Sequence, residues 1–468
     1  MSDTDVLVVG AGPTGLALGI DLARRGIPAL VVERADELFP GSRGKGFQPR
    51  TMEVFDDLGV LDAIHAVGGG YPVGMIWRNG ERIDERHMFD PSTEVSEDSP
   101  YNRPWMVPQW RTQRILLGRL EELGGKVAFG REVIGVTQDE DGVTAHFASG
   151  EPVRARCLVA ADGGRSVVRR AVGVGMTGEE VDPFPTLVAD VRITGLDRDN
   201  WHFFPQGEGA EDLLSICPLA GTEDFQLIAR FAEGTEVDLS LDGVRQVVAA
   251  RSHLAAEDVT EVRWASDFRP RAALADRFRV GRVFLAGDAA HVHSPAGGQG
   301  LNTSVQDAYN LGWKLGAVLG DGAEASLLET YEEERRPIAE QMLRLTTSIH
   351  RGETRRGGAT RQLDLGYPGS TLTAETRTTP GPVRAGDRAP DATVDGVRLF
   401  DAFRGPHWTL LALGTSAPAP PADVRLVHGP AHRTYGTGLF LVRPDGYVGW
   451  AGDTPAGLPE YLARFGGR

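Results

Sequence analysis

Two glycine-rich turns, one near the start of the chain and one far along it, have the residue types that best fit a charged ligand. The first is GAGPTG at residues 10–15, which follows a predicted strand from Asp5 to Val9. The second begins with Gly287-Asp288, directly after a short apolar run. Free backbone amides at a helix N-terminus bind phosphate, and a nearby carboxylate accepts hydrogen bonds from sugar hydroxyls. Both turns therefore predict the binding of a ligand rich in phosphate and hydroxyl groups.

The first turn has the spacing of a dinucleotide-binding fingerprint. Gly10 permits the tight turn, Gly12 lets a pyrophosphate approach the backbone, and Gly15 lets the following helix pack on the sheet. Glu33 ends the next predicted strand, where a carboxylate is expected to bind ribose hydroxyls. An adenine dinucleotide is predicted, and the fingerprint alone leaves NAD, NADP and FAD open. The alternative is a glycine-rich turn in another kind of α/β protein.

The second turn is predicted to bind the other end of the same ligand. The buried strand from Arg282 to Ala286 ends in Asp288, whose carboxylate can accept hydrogen bonds from ligand hydroxyls. A helix from Leu301 to Leu319 follows the loop, and Asn302 and Thr303 at its start are typical capping residues. The alternative is an ordinary strand–loop–helix connection with the aspartate as a turn residue.

Other candidate ligand-binding residues lie between these turns. Arg43 and Lys45 lie in a basic loop. We expect them either over a pyrophosphate or beside the reactive ring, and the alternative is a solvated turn. Gln113 lies near the start of an amphipathic helix and is a candidate for a hydrogen bond to the cofactor. Asp162 and Arg165 follow a buried strand, where they either serve a pyrophosphate or form an internal ion pair.

An aromatic cluster, Trp201, His202, Phe203 and Phe204, lies in a stretch that is predicted to be mostly β-sheet. Its side chains either line an apolar substrate cavity or belong to the core of the sheet, which is where aromatic clusters usually lie. His202 is the one titratable residue in the cluster.

The composition excludes several classes of function. The net charge of -16 argues against a nucleic acid partner, because phosphate binding requires an excess of Lys and Arg. The only two cysteines, Cys157 and Cys217, are too far apart for a Cys-x-x-Cys redox centre. No signal peptide is visible, and no apolar run reaches the ~18 residues of a membrane span. We therefore expect a cytoplasmic protein without a metal or membrane site.

The predicted elements divide the 468 residues into three domains and a linker. The fold class is α/β: a Rossmann-like dinucleotide-binding domain, an inserted β-rich domain and a small C-terminal α/β module without cysteines. The discontinuous dinucleotide-binding domain takes residues 1–72, 108–180 and 272–350. The inserted β-rich domain takes 73–107 and 181–271. A linker rich in Gly, Thr, Pro and Arg covers 351–384, and the last domain covers 385–468.

Three motifs in one order resemble the group A flavin monooxygenases, the single-component FAD-dependent aromatic hydroxylases. They are GAGPTG at 10–15 with Glu33, ADGGRS at 161–166 and GDAAHVHSPAGGQGLN at 287–302. RPDGYVGW at 443–450 is similar to the end of the thioredoxin-like domain in the phenol- and polyketide-hydroxylase branch. The resemblance implies a Rossmann-like FAD-binding domain, an inserted β-rich substrate domain and a C-terminal thioredoxin-like domain. Two residues depart from the family pattern: Ser294 stands where proline is common, and Gly44 stands where alanine is common.

The resemblance implies a role for each candidate residue. Arg43 matches the arginine near the flavin, Asp162 belongs to the motif that serves both FAD and NADPH, and Asp288 binds the ribityl chain. The full set implied for the cofactor is Gly10, Gly12, Pro13, Thr14, Gly15, Glu33, Arg34, Arg43, Gln113, Asp162, Asp288, Pro295, Gly298, Gly300, Leu301 and Asn302. Arg43, His202 and Pro295 are expected to act in catalysis, with His202 considered as the base that ionises a phenolic substrate.

The implied reaction is the hydroxylation of an aromatic or polyketide-type substrate, of the EC 1.14.13 type. NADPH or NADH reduces bound FAD, dioxygen reacts with the reduced flavin, and a flavin hydroperoxide delivers one oxygen atom. An antibiotic-inactivating monooxygenase that attacks a rifamycin or a tetracycline is the alternative enzyme, and a non-catalytic FAD-binding sensor is the alternative of a different class. The resemblance also allows a homodimer.

Overall fold

The structure is a computed structural model that describes residues 3–89, 95–180, 184–205, 213–269, 271–416 and 418–466. The helices in these ranges are α1 Pro13–Arg24, α2 Pro49–Asp57, α3 Leu61–Val67, α4 Gln109–Glu122, α5 Val167–Ala171, α6 Leu241–Arg251, α7 Gly300–Leu319, α8 Thr330–His350, α9 Leu399–Phe403 and α10 Leu458–Leu462. The strands of the first half are β1 Thr4–Val9, β2 Ala29–Val32, β3 Gly46–Phe47, β4 Gly69–Gly70, β5 Val73–Arg78, β6 Glu81–Arg86, β7 Trp105–Met106, β8 Val127–Ala128, β9 Val133–Gln138, β10 Val143–Phe147, β11 Val153–Ala160, β12 Met176–Glu180, β13 Thr186–Ile193, β14 Asn200–Phe204, β15 Leu214–Pro218 and β16 Phe225–Arg230. Those of the second half are β17 Val259–Phe268, β18 Arg271–Ala275, β19 Arg279–Val280, β20 Val283–Leu285, β21 His291–Val292, β22 Ala374–Glu375, β23 Thr393–Val394, β24 Val397–Arg398, β25 Trp408–Leu413, β26 Val424–Gly429, β27 Gly438–Val442 and β28 Val448–Gly452.

An eight-stranded sheet, ordered β19-β20-β11-β1-β2-β8 with β10 and β9 joined beside β11, forms the centre of the first layer. β1 runs parallel to both β11 and β2, and β11 runs parallel to β20. The parallel strands read as continuous apolar runs because their side chains are buried; Leu7, Val8 and Leu158 are fully inaccessible. β1, β11 and β20 therefore end at one edge of the sheet, and the three predicted turns start there.

A second sheet of seven strands, ordered β17-β13-β16-β15-β14-β5-β6, contains the segments predicted as a substrate domain. One face of this sheet packs against α6 and forms an apolar core, in which Leu187, Leu227 and Val248 are buried. The opposite face lies against the loop between β2 and α2, because Gln226 of β16 donates a hydrogen bond to the carbonyl of Ser42. The two sheets thus enclose this loop.

The C-terminal module is built on a five-stranded sheet, ordered β22-β28-β27-β25-β26. β25 is parallel to β26 and antiparallel to β27, and β28 is antiparallel to β27. The predicted linker contributes β22 to this sheet and buries Leu365 and Tyr367, so part of it is integral to the fold. The predicted domain bounds themselves stay an interpretation.

None of the described helices combines the length and the apolar character that a membrane crossing requires. The described residues also contain no group of three His, Cys, Asp or Glu side chains arranged to hold a metal ion.

Candidate functional site

The three glycines of the first turn have three different surroundings. A Cβ atom at Gly10, where φ is +107°, would lie 2.4 Å from the carbonyl oxygen of Ala161, and one at Gly15 would lie 2.0 Å from the carbonyl oxygen of Gly10. A Cβ at Gly12 would meet no atom within 4 Å. Gly12 is also the N-cap of α1, and no side chain caps that helix. The turn therefore leaves an open space against uncapped amides, which suits a pyrophosphate.

Glu33 is held beside this open space by backbone amides. Its carboxylate accepts hydrogen bonds from the amides of Ala11, at 2.9 Å, and Ala35, at 3.1 Å. The side chain is partly exposed, and the exposed Arg34 follows it. A carboxylate and a cation therefore stand at one end of the turn. Their assignment to the adenosine part of the cofactor stays a prediction.

The late turn touches the early one. A Cβ at Gly287, where φ is +61°, would lie 2.6 Å from the hydroxyl oxygen of Thr14 and 3.1 Å from Ser304. Asp288 follows and is exposed to the space beside the turns. Desolvation by the surrounding protein raises the pKa of Asp288, and the charges of His291 and Arg43 oppose this shift. Two turns that are about 270 residues apart in sequence thus form the walls of one groove.

Positive charge gathers where the groove runs between the turns. The guanidinium of Arg43 lies 5.1 Å from the ring centroid of Phe39 and 5.9 Å from that of Trp264. Desolvation lowers the pKa of Arg43, Asp288 opposes this shift, and the neighbouring charges of Arg165 and Arg34 lower it further. Three arginines that repel one another in this way favour an anion between them.

Asp162 does not form the internal ion pair that was one of its two predicted roles. Its Oδ2 accepts hydrogen bonds from the amides of Val167, at 2.8 Å, and Val168, at 3.3 Å, at the start of α5. No ion pair joins it to Arg165 within the described ranges, and its buried Oδ1 lacks a hydrogen-bond partner there. Desolvation raises the pKa of Asp162. One acceptor of this side chain is therefore free for a ligand.

The loop before α7 is fixed by Asn302, although not as a cap. The amide of Asn302 accepts from the backbone of Gln48, at 2.8 Å, and donates to the carbonyls of Gly46, at 3.0 Å, and Gly298, at 2.8 Å. The prediction that Asn302 and Thr303 cap α7 is wrong, because both lie inside its first turn and no side chain caps the helix. The amides at the start of α7 are thus left for a ligand.

Gln113 is fully buried and fastens the basic loop. Its Oε1 accepts from Gln109, at 3.1 Å, and its Nε2 donates to the carbonyl of Phe39, at 3.1 Å. Gln109 in turn accepts from the amide of Gly44, at 3.0 Å. On the other side of the loop, a Cβ at Gly44 would lie 3.3 Å from Leu301. The loop is therefore held between α4 and α7. A direct bond from Gln113 to the cofactor stays a prediction.

His202 is not placed to act as a base, which corrects its predicted catalytic role. Its Nδ1 accepts from the indole of Trp77, at 3.0 Å, and its Nε2 donates to the carbonyl of Asp197, at 2.9 Å. The side chain is fully buried, and burial lowers its pKa. Since side chains alternate along β14, Trp201 and Phe203 point to the opposite face. The aromatic cluster is therefore divided between two faces of the sheet: His202 and Phe204 lie on the side of the apolar core, and Trp201 and Phe203 lie on the side of the loop before α2.

Lys45 is buried against the seven-stranded sheet and does not belong to a solvated turn, whereas its predicted place beside the reactive ring stays a prediction. Its ammonium group donates to the side-chain oxygen of Gln226 and lies 4.4 Å from the ring centroid of Trp201. The loop thus sends Arg43 toward the groove and Lys45 toward the seven-stranded sheet.

A buried ionic network behind the late turn was missed in the sequence. Asp307 of α7 accepts from the amide of Gly287, at 3.1 Å, from His291, at 2.5 Å, and from Arg335 of α8, at 2.8 Å. His293 extends this network, because its Nε2 lies 2.9 Å from Nδ1 of His291. The signal available in the sequence was an acidic residue, Asp307, inside a helix whose only other charged residue is Lys314. The network holds the aspartate-bearing turn in place.

Comparisons with known proteins agree with this geometry. Residues 3–346 match the model of an FAD binding domain, and residues 383–468 match an aromatic-ring hydroxylase C-terminal domain. A flavin-dependent monooxygenase of Mycobacteroides abscessus is 47% identical, with 98% of this chain and 99% of the relative covered. A rifampicin monooxygenase of Streptomyces venezuelae is 38% identical, over 72% of this chain and 69% of the relative. The crystal structure of aklavinone-11 hydroxylase with FAD and aklavinone is 28% identical, has a TM-score of 0.82 and covers 99% of both chains.

Proposed function

Because this chain belongs to the flavin-dependent monooxygenases with an FAD binding domain and an aromatic-ring hydroxylase C-terminal domain, we propose that it hydroxylates an aromatic or polyketide-type substrate. NADPH or NADH is the proposed reductant, dioxygen is the oxygen source, and the reaction is of the EC 1.14.13 type. The family resemblance and the α/β fold class predicted from the sequence are confirmed by these matches.

The observation that carries the proposal is the single groove formed by the two distant glycine turns. The open space at Gly12 is where the FAD pyrophosphate would lie, and Asp288 would accept hydrogen bonds from the ribityl hydroxyls. The other proposed cofactor contacts along the groove are Gly10, Pro13, Thr14, Gly15, Glu33, Arg34, Arg43, Gln113, Asp162, Pro295, Gly298, Gly300, Leu301 and Asn302.

FAD, when bound, supplies hydride acceptance and dioxygen activation, and the protein supplies position and charge. The uncapped amides at the start of α7 favour negative charge on a ring that is bound there. Arg43 adds a partly desolvated cation over the same region. Pro295 restricts the backbone of the loop that would border the ring, and Gly297 and Gly298, both with positive φ, set its turn.

An antibiotic-inactivating monooxygenase is a second candidate, because the 38% identical relative is a rifampicin monooxygenase. The same cofactor groove serves both candidates, so only the accepted substrate separates them. Turnover of rifampicin or a tetracycline in preference to simple phenols and polyketide quinones would favour inactivation.

The test starts with the purified protein and a panel of these aromatics. We expect a yellow protein that contains FAD, oxidises NADPH or NADH faster when a substrate is present and yields a product heavier by one labelled oxygen atom from ¹⁸O₂. Absence of product with the whole panel, despite bound FAD, would favour a non-catalytic FAD-binding sensor.

Asp288→Ala tests the cofactor assignment. Losing a charged acceptor for the ribityl hydroxyls costs about 1.5–3 kcal/mol, so FAD should bind about 10–100-fold more weakly. Fluorescence titration of the FAD-depleted protein measures this. Asp423→Ala, which changes an exposed carboxylate of the C-terminal module, is the control and should bind FAD normally. Unchanged FAD affinity in Asp288→Ala would remove this residue from the cofactor site.

A further inference from the structure

Five polar side chains are buried together between the seven-stranded sheet and the loop that precedes α2. Each is at most 9% exposed. They are Ser42, Lys45, Asp190, Trp201 and Gln226. The cofactor assignment uses none of them. No sequence pattern groups them, because they come from the loop and three different strands.

Lys45 is held at the centre of this cluster. Its ammonium group donates to the side-chain oxygen of Gln226, whose amide nitrogen donates to the carbonyl of Ser42. The same ammonium lies 4.4 Å from the ring centroid of Trp201. A cation is therefore fixed among buried groups by one amide and one aromatic face.

Several polar atoms of the cluster lack partners. Both carboxylate oxygens of Asp190, the indole nitrogen of Trp201 and the hydroxyl of Ser42 make no hydrogen bond of good geometry to any described residue, although Ser42 lies close enough to Asp190 to lower its pKa. An unsatisfied buried polar group costs about 1–3 kcal/mol, so native proteins normally supply a partner, a water molecule or a ligand. A carboxylate accepts hydrogen bonds only, and the missing partner of Asp190 is therefore a donor.

The cluster is separated from the proposed cofactor groove by the backbone of one loop. On the groove side, the carbonyl of Gly46 accepts from Asn302 at the start of α7, at 3.0 Å. Gly44 faces Leu301, and Arg43 interacts electrostatically with Asp288. A ligand that reaches Asp190 and Lys45 would therefore stand directly beside the position proposed for the flavin ring.

We propose that Asp190 is the base that takes the proton of a phenolic or enolic substrate hydroxyl, and that Lys45 stabilises the resulting oxyanion. This inference rests on the proposed hydroxylase function. The O–H bond of the substrate breaks, the proton passes to a carboxylate oxygen of Asp190, and the electron pair stays on the substrate oxygen beside the ammonium group. The ionised ring is richer in electrons and is hydroxylated faster for that reason.

The charges around the pair fit this role. Burial raises the pKa of Asp190 to about 6. The neighbouring Ser42 and the charge of Lys45 oppose this shift, and the charge of Asp224 adds to it. Burial lowers the pKa of Lys45, Cys217 and Asp190 oppose that shift, and Arg356 adds to it. Asp190 is thus protonated below about pH 6 and ionised above it, so hydroxylation should rise with pH through this value.

The experiment compares the FAD-loaded wild type with Asp190→Asn and Lys45→Met across pH. Using the phenol from the panel that gives most product, we expect Asp190→Asn to lower kcat at pH 7 by about 10²–10⁴-fold. The loss should shrink at a pH where solvent already ionises the phenol. FAD content should stay unchanged. Glu261→Gln, which changes an exposed carboxylate of the same sheet that is paired with Arg263 at 2.6 Å, is the control and should keep the wild-type profile.

Two outcomes overturn the inference: a kcat of Asp190→Asn within threefold of the wild-type kcat at every pH, or a loss of kcat that is the same at every pH.

If the wild type hydroxylates none of the aromatics in the panel, the proposed function fails before the inference is tested. Ionisation is then read without turnover from the absorbance of 4-nitrophenol added to the FAD-loaded protein at pH 6. A stronger phenolate absorbance with the wild type than with the free dye, which is lost in Asp190→Asn and Lys45→Met, supports Asp190 as the base. If the wild type does not increase the phenolate absorbance, the inference is overturned.

Discussion

Each glycine of the first turn is explained by a different neighbour. Gly10 and Gly15 are required because any larger side chain would meet a backbone carbonyl oxygen, at 2.4 Å and 2.0 Å respectively. Gly12 has ordinary backbone angles, with φ of −70°, and faces open space. The fold therefore does not require Gly12. Its smallness is explained by a ligand that must approach the backbone.

This difference predicts opposite behaviour for two small substitutions. Gly12→Ala should change the free energy of unfolding by less than about 1 kcal/mol, because only an N-cap preference is lost, but it should weaken FAD binding. Gly15→Ala should destabilise the protein by about 1–3 kcal/mol or more, because the backbone must shift. Urea unfolding and FAD titration measure the two effects separately.

Gly118→Ala is the control for both glycine variants. It lies inside α4, where a Cβ would meet no atom within 4 Å, and should raise stability by about 0.5–1 kcal/mol without affecting FAD. A destabilised Gly12→Ala variant that still binds FAD fully would contradict the assignment of the open space.

At the scale of elements, α7 carries both the ligand-facing amides and the support for the late turn. Asp307 lies one and a half to two turns beyond the helix start and joins Gly287, His291 and Arg335. Burial disfavours its charge, but the charges of His291 and Arg335 hold the pKa of Asp307 below its ordinary value. The turn is therefore positioned by an ion pair in which both side chains are fully inaccessible.

Asp307→Asn should lower the free energy of unfolding by about 3–5 kcal/mol, because it leaves Arg335 buried without its counter-charge. Urea unfolding at pH 7 measures this change. Glu340→Gln, which breaks an exposed pair with Arg344 on α8, should change stability by no more than about 0.5 kcal/mol. Equal effects of both substitutions would show that the buried network contributes no more than a surface pair.

The helices and strands were largely predictable from the sequence, whereas the direction in which individual side chains point was not. β2 and α7 were predicted almost to the residue, because apolar runs are bounded there by glycine turns. His202 was misplaced because strand alternation does not reveal which face meets the groove. α6 was missed because its buried side is only a narrow apolar stripe, with Val244 and Val248.

The polar groups behind the groove were harder to predict still. Asp307 and Arg335 are 28 residues apart on two helices, and Lys45 in the loop before α2 contacts Gln226 of β16, which lies 181 residues later. The local periodicity of the sequence does not predict such pairs, because they depend on how whole helices and strands pack against one another. The glycines and carboxylates at strand ends, by contrast, were visible because their roles depend on local backbone geometry.

At the scale of the whole molecule, the C-terminal module is fastened to the two helices behind the groove. Arg443 pairs with Glu334 of α8, at 2.7 Å, and with Asp445, at 2.6 Å. Lys314 of α7 pairs with the same glutamate, at 2.7 Å, and every one of these side chains is at most 1% exposed. Trp313 of α7 adds an indole hydrogen bond to Asp445, at 3.1 Å. The module is therefore expected to unfold together with the cofactor groove.

Arg443→Gln tests this coupling, because it removes the cation that joins the module to α8. We expect a loss of about 3–5 kcal/mol, with urea unfolding still a single transition in which circular dichroism and the release of fluorescent FAD coincide. Arg433→Gln is the control: this arginine of the same module is 77% exposed in its pair with Glu97 and should leave both signals unchanged. If Arg443→Gln instead produced an early transition that left FAD bound, the module would be an independent unit, and the buried network would not stabilise the groove.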